Sequence, residues 1–256
     1  MANPLGFIGH KSIAFIGHLG GVVMLLGRVF KSLPRIFGNF GLIVEQMSLM
    51  GVNSLPLVVL TSVFTGAVSS VQAAYQFQDF VPMRYLGTAV GKAVVIELGP
   101  VLTALVVAGR VGASIAAELG TMKVTEQIDA LETMAVDPVP FLVTPRFVAG
   151  LTMLPVLTII SDFVAIMGGY IVALLFLNVS SHTFLNGLKM FFHFRDVIAG
   201  LVKSFAFGGI IATIGCYQGF QTRGGARGVG KSTTRAVVVS SVMILIADYI
   251  IASMLF

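Results

Sequence analysis

Long apolar stretches alternate with short polar segments along most of the chain. A helix of about 20 residues crosses the roughly 30 Å hydrocarbon core of a bilayer, and five of the apolar stretches reach that length. They predict membrane-spanning helices at residues 54–74, 93–117, 147–177, 197–220 and 236–256. The third stretch is longer than a bilayer requires, so we expect that helix to tilt or to extend beyond the bilayer.

Residues 5–37 follow a different pattern. Glycine, histidine and lysine interrupt this segment too often for a convincing span. Its apolar residues nevertheless recur three or four positions apart, at Phe15, Leu19, Val22, Leu26, Val29 and Leu33. This spacing predicts an amphipathic helix that lies on the inner leaflet, with its basic side chains among the lipid phosphates. The alternative is a sixth, imperfect span.

The composition is that of a membrane protein. Hydrophobic residues make up 56% of the chain and charged residues 11%, whereas charged residues are about 25% of a typical soluble domain. We therefore predict an all-α integral membrane protein that forms one domain over residues 1–256, without a separate soluble domain.

The net charge of +5 is compatible with nucleic-acid binding, but the positions of the basic residues indicate a membrane topology instead. With the N-terminus inside, the five spans place ten basic residues in inner segments and only four, Arg84, Lys92, Lys189 and Arg195, in outer segments. Basic loops tend to stay in the cytoplasm. The sequence thus predicts a cytoplasmic N-terminus, a C-terminus on the opposite side and no nucleic-acid partner.

The second span carries a carboxylate beside a helix-distorting pair. Glu97 precedes Gly99 and Pro100, and proline removes a backbone hydrogen bond and favours a kink. A carboxylate inside a membrane is a candidate functional group; an equally weighted alternative is a structural hydrogen bond to a neighbouring helix. Arg110 and Glu118 lie nearer the inner face, where they can pair with each other or with the segment that follows.

An acidic segment follows the second span and keeps a helical spacing of apolar positions. We predict a helix of two to three turns within residues 123–137, capped by Thr125, with Glu126 and Asp129 at the positive end of its dipole. The apolar face consists of Ile128, Leu131 and Ala135. This face favours docking into a groove of a soluble partner over a solvated loop or a segment resting on the membrane.

Aromatic residues cluster after the first span, in the outer segment YQFQDFVPMRYLG, which contains Tyr75, Phe77 and Phe80. One interpretation is an interfacial aromatic belt. The other, weighted about equally, is the mouth of an apolar cavity that lipids can enter.

Three ionisable residues, Asp162, Lys203 and Asp248, lie deep in the later spans. Because a charge in hydrocarbon costs at least a few kcal/mol, such residues face the interior of the bundle or a polar cavity. We favour a structural pairing, such as Asp162 with Lys203, over a role in transport.

A phosphate-binding pattern in the last polar loop is rejected on its context. Residues 225–232, GARGVGKS, match G-x-x-x-x-G-K-[ST], a motif that requires a preceding strand and a helix packed on a sheet. Apolar spans flank this loop, so we expect no nucleotide hydrolysis. The four histidines lack the spacing of metal ligands, and no metal, cofactor or catalytic residue is predicted.

The central block, ELGPVLTALVVAGRVGASIAAELGTMKVTEQIDALETMAVDPVPFLVTPR, resembles the signature of the MlaE (YrbE-type) permease family. The loop GGARGVGKSTTRAVVVSS is similar to the last cytoplasmic turn and span of the same family. These permeases are the membrane subunits of Mce-associated ABC transporters. Close relatives move phospholipids between the inner and outer membranes of Gram-negative bacteria; more distant ones serve sterol import in actinobacteria and lipid import in plastids.

The resemblance implies a homodimer in the inner membrane, a cytoplasmic ABC ATPase as a separate chain, a periplasmic hexameric Mce-domain protein and a small STAS-domain protein. It implies a lipid cavity at the dimer interface, with Glu97, Phe77 and Phe80 in contact with lipid. It also makes residues 123–137 the coupling helix that meets the ATPase, with these contact positions: Lys123, Glu126, Gln127, Asp129, Leu131 and Glu132. Ile96 departs from the family, since related sequences can carry arginine there.

The expected function is therefore that of a non-catalytic permease subunit in an ATP-driven phospholipid transporter that maintains outer-membrane lipid asymmetry. The alternative from another class is a proton-coupled secondary transporter or channel that uses the carboxylates of Glu97, Asp162 and Asp248.

Overall fold

The computed structural model describes residues 4–34, 40–77 and 81–255, and these residues form helices and the turns between them. The α-helices within these ranges are α1 (Pro4–Ser32), α2 (Phe40–Met50), α3 (Leu55–Phe77), α4 (Leu86–Ala93), α5 (Gly99–Val107), α6 (Ala113–Val124), α7 (Gln127–Thr133), α8 (Thr144–Leu175), α9 (Ser181–Met190), α10 (Phe194–Phe220) and α11 (Gly225–Leu255). Three π-helical segments, Val94–Leu98, Ala108–Gly112 and Val139–Val143, join or extend them.

Five continuous helical stretches of the described residues are long and apolar enough to cross a membrane: Phe40–Phe77, Met83–Val124, Val139–Leu175, Phe194–Phe220 and Gly225–Leu255. The five predicted spans are thereby confirmed, and the protein is an all-α, multi-pass membrane protein. Each observed helix is as long as or longer than the predicted span, because hydropathy marks only the apolar part. The first stretch, for example, begins with α2, which one 3-10 turn joins to α3.

Small residues allow the spans to approach each other closely. Gly66 on α3 faces the Ala165 carbonyl of α8, and Gly150 on α8 faces the Gly208 carbonyl of α10, so that a Cβ atom at either glycine would collide with backbone. Beside Gly66, the Ser62 hydroxyl shares a hydrogen bond of 2.8 Å with Ser161. Such contacts hold membrane helices together where lipid removes the hydrophobic drive for helix association.

The two ends of the bundle differ in what they carry. At one end, which we call the α7 end, lie α7, the α10–α11 turn and the C-terminal half of α1. Contacts there include a hydrogen bond of 2.6 Å between Ser32 and Thr144, and one of 2.8 Å between Thr222 and Ser232. At the opposite end, the α9 end, the short helix α9 packs on α4.

Helix α1 is not among the helices that are long and apolar enough to span a membrane. It buries Leu25, Val29 and Ser32 along one side, while His18 shares a hydrogen bond of 3.0 Å with Tyr217 near the end of α10. The contacts of Ser32 and His18 thus lie toward the α7 end. Its placement on the inner leaflet stays a prediction.

Candidate functional site

A buried lysine joins three of the spans. The Lys203 side chain on α10 is fully buried, and its Nζ donates a hydrogen bond of 2.5 Å to Glu97 Oε2. The same Nζ lies 2.8 Å from Asp248 Oδ1 on α11, an ion pair without hydrogen-bond geometry. We call Glu97, Lys203 and Asp248 the charged triad. The predicted pairing of Asp162 with Lys203 is wrong, because the packing of α10 turns Lys203 toward the second and fifth spans instead.

Local backbone geometry brings Glu97 to this position. Glu97 lies in the π-helical segment Val94–Leu98, which ends where Gly99 donates its N–H to the Val94 carbonyl. Pro100 follows and has no N–H to donate back along the helix. Gly200 of α10 lies against the Val95 carbonyl and the Pro100 ring, where a Cβ atom would collide with that carbonyl. A π-bulge of this kind often marks a functional site, and here it coincides with the close approach of α10.

The members of the triad differ in exposure. The Lys203 side chain is buried completely and that of Asp248 is 15% exposed, whereas the Glu97 side chain is 46% exposed. With one ammonium between two carboxylates, the triad carries a net charge of −1. Glu97 is therefore the member that can contact a ligand beside the bundle, while Lys203 and Asp248 hold it in place.

Asp162 is separate from the triad. Its Oδ1 atom on α8 is buried against Gly99, where a Cβ atom would collide with it, and it has no hydrogen-bond partner among the described residues. It lies close to the π-helical segment that carries Glu97, but on the side that faces α8.

The predicted aromatic lipid contacts lie at the α9 end. Tyr75 is strongly exposed and Phe77 half-buried, both in the last turn of α3, while Phe80 lies outside the described residues. No hydrogen bond, ion pair or aromatic contact among residues 40–77 and 81–255 joins these side chains to Glu97.

Arg110 and Glu118 do not pair with each other or with the segment after the span. Arg110 donates a hydrogen bond of 2.7 Å to Ser54 Oγ and one of 3.3 Å to the Leu49 carbonyl, whereas Glu118 forms an ion pair of 2.7 Å with Arg146. The Arg146 side chain is almost fully buried, although its sequence position suggested an exposed inner loop. Arg110 and Glu118 instead line a shared cavity of about 140 Å³.

The acidic segment forms a short helix directly after the second span. Helix α7 covers Gln127–Thr133 and starts after Glu126, which has a left-handed backbone with φ 61°. The prediction that Thr125 caps this helix is wrong. Thr125 ends α6 instead, and its hydroxyl donates back to the Thr121 carbonyl. The turn is held by an ion pair of 2.5 Å between Lys123 and Asp129.

The apolar side of α7 faces the protein's own bundle. Ile128 is buried in the main core, and Leu131 packs against that core. Anchoring of α7 therefore accounts for two residues of the apolar face that the sequence assigned to a partner groove, whereas the third, Ala135, lies beyond α7 and is exposed. The outward surface, which we call the α7 surface, is formed by Glu126, Gln127, Glu132, Met134 and Val136, all exposed. An ion pair of 2.9 Å between Arg28 and Asp137 ties α1 to its edge.

This arrangement of helices was compared with known proteins. The family model described as Permease MlaE matches residues 43–254, which is most of the chain. The chain belongs to the MlaE permease family. The match covers all five spans, the charged triad and the α7 surface.

Relatives from several bacteria align with nearly the whole chain. A probable ABC transporter permease protein of Rickettsia typhi is 42% identical over 256 residues, which is 100% of this chain and 99% of the relative. A probable ABC transporter permease protein of Synechocystis is 40% identical, with 96% and 94% covered. The intermembrane phospholipid transport system permease protein MlaE of Haemophilus influenzae is 34% identical, with 100% and 98% covered.

Sequence reasoning missed two features of this MlaE-type permease. The first is that one lysine, Lys203, serves both Glu97 and Asp248; the glycine at position 200 was the only local signal of a close approach beside it. The second is the ion pair of the buried Arg146 with the half-exposed Glu118. In both cases residues more than 25 positions apart meet because of helix packing, which a hydropathy pattern does not encode.

Proposed function

We propose that this chain is the permease subunit of an ATP-driven ABC transporter that moves phospholipids between the inner membrane and the periplasm or outer membrane, and so maintains outer-membrane lipid asymmetry. The observation that carries the proposal is one continuous helical stretch, Met83–Val124, which bears Glu97 and leads directly into α7. The H. influenzae relative, named as an intermembrane phospholipid transport permease, supports phospholipid as the substrate.

The coupling step follows from this connection. A separate ABC ATPase binds the acidic α7 surface, and closure of its two subunits on ATP displaces α7. Because Ile128 and Leu131 anchor α7 in the core, the displacement passes into the bundle instead of bending a free loop. The second span transmits the displacement of α7 to Glu97. The chain itself catalyses no reaction.

The lipid site in this proposal forms between two copies of the chain. Tyr75, Phe77 and Phe80 supply apolar contacts near the α9 end, and Glu97 supplies a negative charge deeper in the wall. The exposed apolar face of α3, which includes Leu60, Phe64, Val68 and Val71, suits burial against lipid or a second copy.

The proposed orientation places the N-terminus and the α7 end in the cytoplasm and the C-terminus in the periplasm. The α9 end then faces a hexameric Mce-domain protein that receives or delivers lipid, and a small STAS-domain protein binds the ATPase. Helix α1 lies on the inner leaflet, a placement that its contacts through His18 and Ser32 toward the α7 end support.

The geometry disfavours a proton relay through the membrane carboxylates. Glu97 and Asp248 share the same ammonium of Lys203, so both carboxylates have a structural partner that holds them within the bundle. Asp162 Oδ1 has no hydrogen-bond partner among the described residues, so no chain of hydrogen bonds from this atom connects it to the triad.

Charge reversal on the α7 surface tests the coupling step. We expect Glu126→Lys with Glu132→Lys to release the ATPase from the detergent-purified complex, because both side chains point away from the bundle. The matched control is Glu45→Lys, which reverses an exposed acid on α2. Full retention of the ATPase by the double variant, with the control also retained, would refute α7 as the docking site.

A further inference from the structure

A groove of about 480 Å³ lies between α1, α10 and α11 near the α7 end. Most of the side chains that line it are apolar, and the polar ones lie at one end. Helix α1 lines this end, where His18 shares its hydrogen bond with Tyr217. The longest wall belongs to α11, whose lining residues include Arg235, Val238, Val239, Val242 and Ile246.

The length of the α11 wall matches one leaflet of a bilayer. From Arg235 to Ile246 the helix rises by roughly 16 Å at about 1.5 Å per residue. Half of a hydrocarbon core about 30 Å thick is about 15 Å. Ser232, one turn before Arg235, is bonded to Thr222 where α10 ends, so the wall begins at the edge of the bundle and runs inward.

Positive charge is concentrated at the polar end of the groove. Arg227, Lys231 and Arg235 lie four residues apart and therefore share a face of α11. All three are exposed, and none forms an ion pair with a described carboxylate. Apolar side chains continue the same face toward Ile246. The groove thus offers a cationic end at headgroup level and an apolar wall at acyl-chain depth.

A second copy of the chain does not suit this face. Most oligomers of identical chains are symmetric, and a twofold contact places the same patch on both sides. The basic row of one copy would then meet the basic row of the other. An anionic lipid, in contrast, brings a phosphate to the cationic end and a chain to the apolar wall.

We propose that this groove binds one anionic phospholipid from the leaflet at the α7 end, with its phosphate on Arg235 and an acyl chain along Val238, Val242 and Ile246. The site is distinct from the lipid cavity proposed at the α9 end, and it needs neither ATP nor the ATPase. The bound lipid lies between α1 and α11 and contacts both helices.

The absence of tryptophan from the sequence allows a direct test. Ile246→Trp places a single fluorophore in the groove, and Phe163→Trp places one on the exposed face of α8 as a control. Each variant is reconstituted in vesicles that contain chain-brominated phosphatidylglycerol or chain-brominated phosphatidylcholine, and quenching is compared. A basic side chain near the surface is worth about 1 kcal/mol to an anionic lipid, so we expect about a fivefold preference for phosphatidylglycerol at the groove and about none at the control.

Removal of the Arg235 charge tests whether this side chain binds the lipid phosphate. Arg235→Gln in the Ile246→Trp background should lower the preference toward one, whereas Arg223→Gln, at an exposed site outside the groove lining, should keep it. Equal quenching by both lipids, or a preference unchanged by Arg235→Gln, would refute the proposal. If both lipids quench the tryptophan in the groove more weakly than the control tryptophan, then protein fills the groove. This result would also refute the proposal. Transport is not measured, so this result is independent of the proposed transport function.

Discussion

Replacement of Lys203 tests the idea that the charged triad holds the second, fourth and fifth spans together. Lys203→Met keeps the apolar stem but leaves two carboxylates facing each other inside the bundle. Breaking a buried ion pair by removing one partner costs about 3–5 kcal/mol. A change of 1 kcal/mol in stability shifts the melting temperature of a chain of this size by roughly 2–4 °C. We therefore expect the melting temperature of Lys203→Met in detergent to be lower by roughly 6–20 °C.

The exposure of each triad side chain predicts how much stability its single variant loses. Lys203 is fully buried, the Asp248 side chain is 15% exposed and that of Glu97 is 46% exposed. We therefore expect Lys203→Met to destabilise most, Asp248→Asn less and Glu97→Gln least. The triple variant removes every charge and should recover most of the loss, because a neutral triad leaves no unpaired carboxylate.

The matched control is Lys189→Met, at an exposed lysine on α9, which should shift the melting temperature by little. A loss for Lys203→Met no larger than for this control would refute the account of the triad. So would a triple variant less stable than Lys203→Met.

Three further predictions concern other parts of the molecule. Gly208→Ala should destabilise the protein by about 1–3 kcal/mol, because the new Cβ would meet the Gly150 carbonyl. The control Gly109→Ala adds a Cβ in open space and should be neutral or stabilising by up to about 1 kcal/mol. Equal effects of the two variants on thermal unfolding would contradict the close packing of α8 and α10. Arg146→Leu should lower stability by only about 1 kcal/mol, since the half-exposed Glu118 that loses its partner stays solvated, and a loss as large as that of Lys203→Met would contradict this difference. Phe77→Asp should remove phospholipid that co-purifies with the protein, measured by mass spectrometry, while Phe191→Asp should not, and unchanged lipid in Phe77→Asp would argue against the cavity.

The five spans were predictable because membrane crossing is a local property. A run of apolar residues of sufficient length has to lie in hydrocarbon wherever its neighbours are, so hydropathy located all five.

The pairing of charges was not predictable, because it depends on how each helix is rotated about its axis. Asp162 and Lys203 both lie at mid-span and seemed natural partners, yet α8 turns Asp162 toward Gly99 while α10 turns Lys203 toward Glu97 and Asp248. The cap at Thr125 failed for a related reason. The span continues as helix as far as Val124, so the chain reverses at Glu126 in a left-handed conformation and not at the first polar residue with capping chemistry.

Dependence of lipid transfer on ATP tests the central claim most directly. The chain would be reconstituted in vesicles with its ATPase and with labelled phospholipid, and transfer to a soluble acceptor would be followed with ATP or with a proton gradient alone. We expect transfer with ATP, none with the gradient, and loss of transfer in the Glu126→Lys, Glu132→Lys double variant. Transfer driven by the gradient without ATP would contradict the account and would favour the secondary transporter.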